Sequence, residues 1–348
     1  MGGEHSSILQ PVVAKWRRNV AEAESSSRHE APQRNFEAIA WLPSAARVQW
    51  QKVGQLTEHV ERSLDKKVSP QAVLAAIESF ARGPGQWLKV AGGSKAEVLE
   101  DCGINGRRWG CGEVVVEYGT FIGYSAVRLA RAVAASFGCP PCKVGPHMVI
   151  SLEVSPVQAC IARHIIDLAG LAHAAEVWIG QVRDTSPRLL EEFSERGVGL
   201  LFLDHKGQVF HTDLALAERL DILAPGSRSV ADNVASPGSP IFLWYMNHSD
   251  RWSVTTWALH EFLEVDHEDW MVVGSLTRHL SMSSGGPPPP VPESLRDLAW
   301  QTDHFRRRSE GHRPAEAPVR NADREGFAKH VVQCYATLGF EATPWTSR

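Results

Sequence analysis

The chain has 348 residues, of which 43% are hydrophobic and 22% charged, and its net charge is −4. This is a soluble, globular composition that lacks the basic excess of a nucleic-acid-binding protein. No apolar run reaches the length of a membrane span or a secretory signal. Six cysteines in a chain this long do not make a disulfide framework, so a reducing, cytoplasmic setting is expected.

In chain order, residues 1–68 are expected to form an N-terminal extension, partly helical or disordered. MGGEHSS fits an acylation pattern, with Gly2 exposed after Met removal and Ser6 at the required offset. KWRR follows at residues 15–18 and supplies the basic second signal that stable anchoring needs. Membrane contact is expected only if Gly2 is myristoylated. SSSRHEAPQR is loop or linker, and AIAWLPSAARVQW and VGQLTEHVERSL are expected as short helices.

From Ser69 the pattern changes. SPQAVLAAIESFA starts a helix with Ser69 as N-cap and Pro70 in its first turn. Val73, Leu74, Ile77 and Phe80 follow helical spacing. Strands and helices then alternate. EVVVEYG, MVISLEV, AEVWIGQV, VGLLFLD and SRSVADNV are strands, separated by helices such as SAVRLARAVAASF and one from about Pro187 to Arg196. A short helix around IFLWYM precedes VTTWALHEF and WMVVGSL, which adjoin without a helix and are expected to pair antiparallel.

The expected fold is therefore α/β, a mostly parallel seven-stranded sheet with helices on both faces, over residues 69–280. Cys139 and Cys142 form CPPC, but no second ligand pair accompanies them, so a plain loop is expected. SSGGPPPPVPES is a polyproline-type spacer. It opens a tail, 281–348, with FRRRSEGHR as a solvated face and EGFAKHVVQCYATLGF as a helix. No oligomer signal stands out, and a monomer is expected.

In an open parallel sheet, ligands bind outside the carboxyl ends of the strands. The first strand ends VEYGTFIGYSA, where Gly119 and Gly123 permit a tight turn and Ser125 caps the next helix. The dinucleotide pattern GxGxxG is absent, and Glu117 would repel a pyrophosphate but suits a cationic ligand end. Glu153 closes the second strand, where an acid accepts both hydroxyls of a ribose. These features together fit S-adenosylmethionine. The bland alternative leaves both glutamates as strand ends in solvent.

Asp204 and Asp232 end neighbouring strands, and Asn233 follows directly. Two carboxylates and an amide oxygen form a hard donor set suited to Mg²⁺. Without a cation, the two acids would repel each other and one would be driven toward protonation. Alternatively, Asp232 and Asn233 merely begin the turn before PGSP.

VVVEYGTFIGYSAVRLARA, SLEVSP, HIIDLAGLA, LLFLDH, VADNVASPGSPIFL and FLEV, with WLKVAGGSK at 87–95, stand in the order and spacing of the catechol O-methyltransferases, which the chain resembles from Ser69 to Thr277. The resemblance implies a Rossmann-like class I methyltransferase that binds S-adenosylmethionine and Mg²⁺ and methylates one hydroxyl of a small catechol-like diol. It implies that Asp204, Asp232 and Asn233 hold Mg²⁺. Glu117, Gly119, Tyr124, Ser125, Glu153 and His205 would surround the cofactor, with Ala91 and Val154 packing on it. Trp87 and Pro237 would wall the acceptor ring, and Glu264 would accept a hydrogen bond from the hydroxyl that is not methylated.

The chain departs from the family at the base. Lys206 stands where the family has a tryptophan, and Gly207 where it has the catalytic lysine. Lys206 could serve as the base if the dication lowers its pKa and Gly207 lets the loop shift. Two other readings stay open: a degenerate member that binds cofactor or a partner without turnover, and an enzyme of the same fold for another phenolic acceptor.

Overall fold

A computed structural model of the chain describes residues 44–64, 69–105, 107, 109–110, 112–136, 149–193, 195, 197–277, 289–309 and 319–346. Gly2, Ser6, the KWRR segment, Cys139 and Cys142 lie outside these residues. The chain divides into two compact units, Met1–Gln55 and Leu56–Arg348. Among the described residues before Ser69, one continuous helix, α1 (Ser44–Ser63), stands where the end of AIAWLPSAARVQW and all but the last residue of VGQLTEHVERSL were expected as two short helices.

The second unit alternates as the sequence predicts. Helix α2 (Pro70–Arg82) starts at Ser69, whose hydroxyl accepts the Ala72 amide hydrogen as an N-cap. There follow β1 (Val114–Tyr118), α3 (Tyr124–Ser136), β2 (Val149–Glu153), α4 (Pro156–Leu168) and β3 (Ala175–Ile179). Next come α5 (Val182–Phe193), β4 (Val198–Leu203), α6 (Phe210–Arg219), β5 (Leu223–Ala231), α7 (Pro240–His248), β6 (Trp252–Glu261) and β7 (Glu264–Leu276). Helix α5 starts five residues before the expected Pro187. Its Thr185 and Ser186 hydroxyls both donate back to the Val182 carbonyl one turn earlier.

The strand order is β3-β2-β1-β4-β5-β7-β6-β8. Strands β1 to β5 run parallel, and β7 pairs antiparallel with both β5 and β6. The eighth strand, where seven were expected, is β8 (Thr343–Pro344), a two-residue pairing parallel to β6 at the sheet edge. Every residue of β1, β2 and β4 is buried, as helices on both faces of a parallel sheet require.

Two further helices, α8 (Glu293–Ser309) and α9 (Asn321–Thr337), pack into the same core. Leu295, Leu298, Val331 and Tyr335 join Trp270, Phe242 and Val234 there. The RRR segment was expected to be a solvated face, but Arg306 is buried while the Arg307 side chain stays exposed. Leu295, Leu298, Thr302 and Arg306 lie three, four and four residues apart and so share the inward stripe of α8. No helix among the described residues is long and apolar enough to cross a membrane.

Candidate active site

The parallel strands bring their carboxyl ends together on one side of the sheet. At the end of β1, Glu117 is buried and accepts a hydrogen bond from Ser151 Oγ at 2.5 Å across the β1–β2 pair. Burial pushes its carboxyl up to about 7, against the hydroxyls of Ser125, Ser151 and Thr120. Gly119 follows with φ +91, where a Cβ would stand 2.7 Å from the Asp204 carbonyl oxygen. Only glycine lets the ends of β1 and β4 approach this closely.

Glu153 ties the turn after β1 to the turn after β2. Its Oε2 accepts the Phe121 amide hydrogen at 3.0 Å and its Oε1 that of Ser155 at 2.8 Å. Burial raises its pKa, and those backbone amides oppose the rise. Ser125, expected to cap α3, lies instead inside its first turn, because the helix already begins at Tyr124, and it is buried there. The neighbouring Tyr124 hydroxyl turns toward α2, donating to Glu78 at 2.6 Å and accepting from Arg128 at 2.8 Å. Ala91 is buried, Val154 is 60% exposed, and Trp87 meets the rings of Phe80 and Phe121 edge-on.

Beyond β4, His205 Nε2 lies 2.8 Å from Asp213 Oδ2, and its ring packs on Tyr118 and Phe210. Its Nδ1 is buried with no hydrogen-bond partner among the described residues. Lys206 points into solvent. Gly207 is buried, and a Cβ there would collide with Ser239 Oγ. A side chain at residue 207 would have to displace Ser239 Oγ and the Arg306 guanidinium.

Asp232, after β5, meets a residue that the sequence reading passed over. Lys95 is 1% exposed, and its Nζ lies 2.9 Å from Asp232, 2.8 Å from Glu261 and 2.8 Å from Asp269. Lys95 lies in the WLKVAGGSK segment, but nothing in its spacing shows that the chain closes over it. Its pKa is well above the usual lysine value: burial lowers it, and the three carboxylates outweigh that effect. Asp232 is nevertheless pushed up to about 7, chiefly by burial with Asp269 and Glu261 adding, and Lys95 opposing. Asp204 is driven well above the carboxylate range by burial and then by Asp232 and Glu117. Asn233 donates its Nδ2 hydrogens to Glu261 and Asp269, both at 3.3 Å, which turns its Oδ1 away from them.

No three carboxylate, imidazole or thiolate groups among the described residues are arranged as a metal site. Asp204, Asp232 and Asn233 stand at neighbouring strand ends. The carboxylates there, with Lys95 reaching Asp232, Glu261 and Asp269 and no hydrogen bond to the Asp204 carboxylate among the described residues, are donors that would fit a hard cation.

Pro237 and Glu264, two of the residues expected at the acceptor, are joined through a second cluster. Asp269 accepts the amide hydrogens of Ala235 and Ser236 at 3.0 and 2.7 Å, shaping the loop to Pro237, which follows a cis peptide bond. Glu264 is paired with Lys89 and with His267 Nδ1 at 2.8 Å, and His267 Nε2 meets Ser236 Oγ at 2.5 Å. The His267 hydrogen bond, with Lys89 adding, holds Glu264 down at about 2, so it stays ionised throughout neutral pH. Lys89, His267 and Ser236 were not singled out in the sequence, because their meeting depends on how the loops fold.

No family model matches the chain. Over 215 residues it is 31% identical to the catechol O-methyltransferase of Mus musculus, covering 62% of this chain and 75% of that one. Over 180 residues it is 35% identical to catechol O-methyltransferase B of Danio rerio, covering 52% of this chain and 62% of the relative. A solved O-methyltransferase from Bacillus cereus in complex with SAH aligns over 63% of this chain and 96% of its own, at 23% identity and TM-score 0.46. With the mouse relative matched over three-quarters of its length, the chain belongs to the catechol O-methyltransferase family of S-adenosylmethionine-dependent O-methyltransferases.

Proposed function

We propose that the chain methylates one hydroxyl of a catechol-like diol and that Asp204, Asp232 and Asn233 hold Mg²⁺ for it. The observation that carries this reading is the excess of carboxylates beside the ends of β4 and β5, where Asp232, Glu261 and Asp269 share the single amine of Lys95 and Asp204 lies close enough to Asp232 to repel it. Bound there, Mg²⁺ would orient the diol and acidify its attacking hydroxyl. Lys95 would hold Asp232, and Asn233 would offer Oδ1 because its Nδ2 is committed to Glu261 and Asp269.

Glu117 would face the cationic end of the cofactor, and Glu153, set by the Phe121 and Ser155 amides, would receive its ribose. The ionised Glu264 would accept a hydrogen bond from the hydroxyl that keeps its proton, between Trp87 and Pro237. Holding both reactants in line is worth several kcal/mol of barrier, on the order of 7–11 in the best intramolecular cases. With Lys206 in solvent and no side chain at Gly207, the proton of the attacking hydroxyl would pass to water.

The test is methyl transfer from labelled S-adenosylmethionine to a simple catechol, with Mg²⁺ and again with a chelator. Transfer that stops with the chelator is expected. Cofactor binding without transfer to any diol would sink the proposal and favour the non-catalytic reading, which the missing lysine at residue 207 supports.

A further inference from the structure

Two departures from the family meet in space: the glycine at residue 207 and the segment beyond residue 288. On the inward stripe of α8, Thr302 packs so closely on the loop after β5 that a Cβ at Gly238 would stand 2.8 Å from its methyl group. Arg306, one turn on and buried, donates from Nη2 to the Gly238 carbonyl at 3.4 Å. The same nitrogen lies 3.0 Å from where any side chain at residue 207 would begin. Gln208 donates to Asp303 of α8, and the Tyr335 hydroxyl of α9 donates to the Val234 carbonyl at 2.8 Å. Both loops that carry the proposed metal and acceptor residues are thus held by the C-terminal helices.

We propose that Arg306 is a positioning residue for the acceptor. Beside Ser239 Oγ, it borders the space that Gly207 leaves and fixes the Pro237–Gly238 wall from behind. The inference rests on the reading of Pro237 as that wall. Arginine suits the task because its planar fork keeps its charge at every working pH, and for the same reason it cannot be the missing base. Lysine in its place would lose the fork and shorten the reach.

The test uses the full chain with Arg306→Ala and Arg306→Lys, and it reads both Michaelis constants and amide hydrogen exchange. Losing a hydrogen bond from a charged donor should raise the acceptor KM about tenfold or more. The cofactor KM should stay unchanged, and the lysine variant should recover part of the loss. The Gly238 and Ser239 amides, bonded to the Asn233 and Val234 carbonyls, should exchange faster in Arg306→Ala, while the turn after β1 stays protected. An unchanged acceptor KM, or equal effects on both Michaelis constants with a lowered melting temperature, overturns the inference and leaves the proposed function standing. If the wild-type chain methylates no catechol, the proposed function fails on its own. Exchange at Gly238 and Ser239 then decides, and unchanged protection there overturns the positioning role.

Discussion

Glu117 combines complete burial with a pKa of about 7, so near neutral pH it is poised between a neutral carboxylic acid and a carboxylate. The sign follows from burial. A carboxyl whose folded pKa is raised favours folding below its ordinary range, and that contribution is lost as pH rises through 7. A cationic ligand reverses the balance because it binds the ionised form. Affinity for S-adenosylmethionine should therefore rise about tenfold between pH 6 and pH 8, as the ionised fraction does. Glu117→Gln should weaken binding and flatten that slope, and titration calorimetry at the two pH values measures both effects. An unaltered slope in the variant would assign the titration to Asp204 or Asp232 instead.

At the scale of elements, one lysine from a five-residue helix, Ser94–Val98, ties three strands together. Lys95 contacts Asp232 after β5, Glu261 at the end of β6 and Asp269 inside β7. Lys95→Met keeps much of the volume but leaves the carboxylates facing one another. Breaking a buried ion network from one side costs about 3–5 kcal/mol. Urea denaturation at pH 8 should show a loss of that size, which shrinks as pH falls below 7 and Asp232 takes up a proton. Added Mg²⁺ should recover part of it. A loss independent of pH would mean that Lys95 acts through packing alone. The strands behind this cluster were legible, because continuous runs such as VGLLFL can only be buried on both faces, and Asp204 and Asp232 stood out where those runs stop. Lys95 was not legible. A lysine two residues after a glycine pair looks solvated until the sheet edge closes over it. Arg306 was hidden differently, since the eye takes RRR as a charge run while the helical spacing from Leu295 gives its first member to the core.

At the scale of the whole molecule, the segment after the proline tract completes the core of the methyltransferase unit. Leu295, Leu298, Val331 and Tyr335 are at most 2% exposed, Tyr335 lies 5.3 Å from the Trp270 ring, and Trp345 beyond β8 donates to Glu97 at 2.9 Å. Burying each large apolar side chain stabilises by about 1.5–3 kcal/mol. Several such groups together rival the whole stability of an ordinary domain, about 5–15 kcal/mol. The family resemblance ends at Thr277, so the sheet of this chain has come to depend on helices outside the resemblance. A chain ending at residue 288 should therefore lose its cooperative thermal transition, not merely shift it, and should no longer bind S-adenosylmethionine. Circular dichroism melting with calorimetry on the shortened chain measures both. A cooperative transition with cofactor affinity intact would make the tail a peripheral addition. It would also leave the burial of Trp270 and Val234 dependent on the sheet and α7 alone.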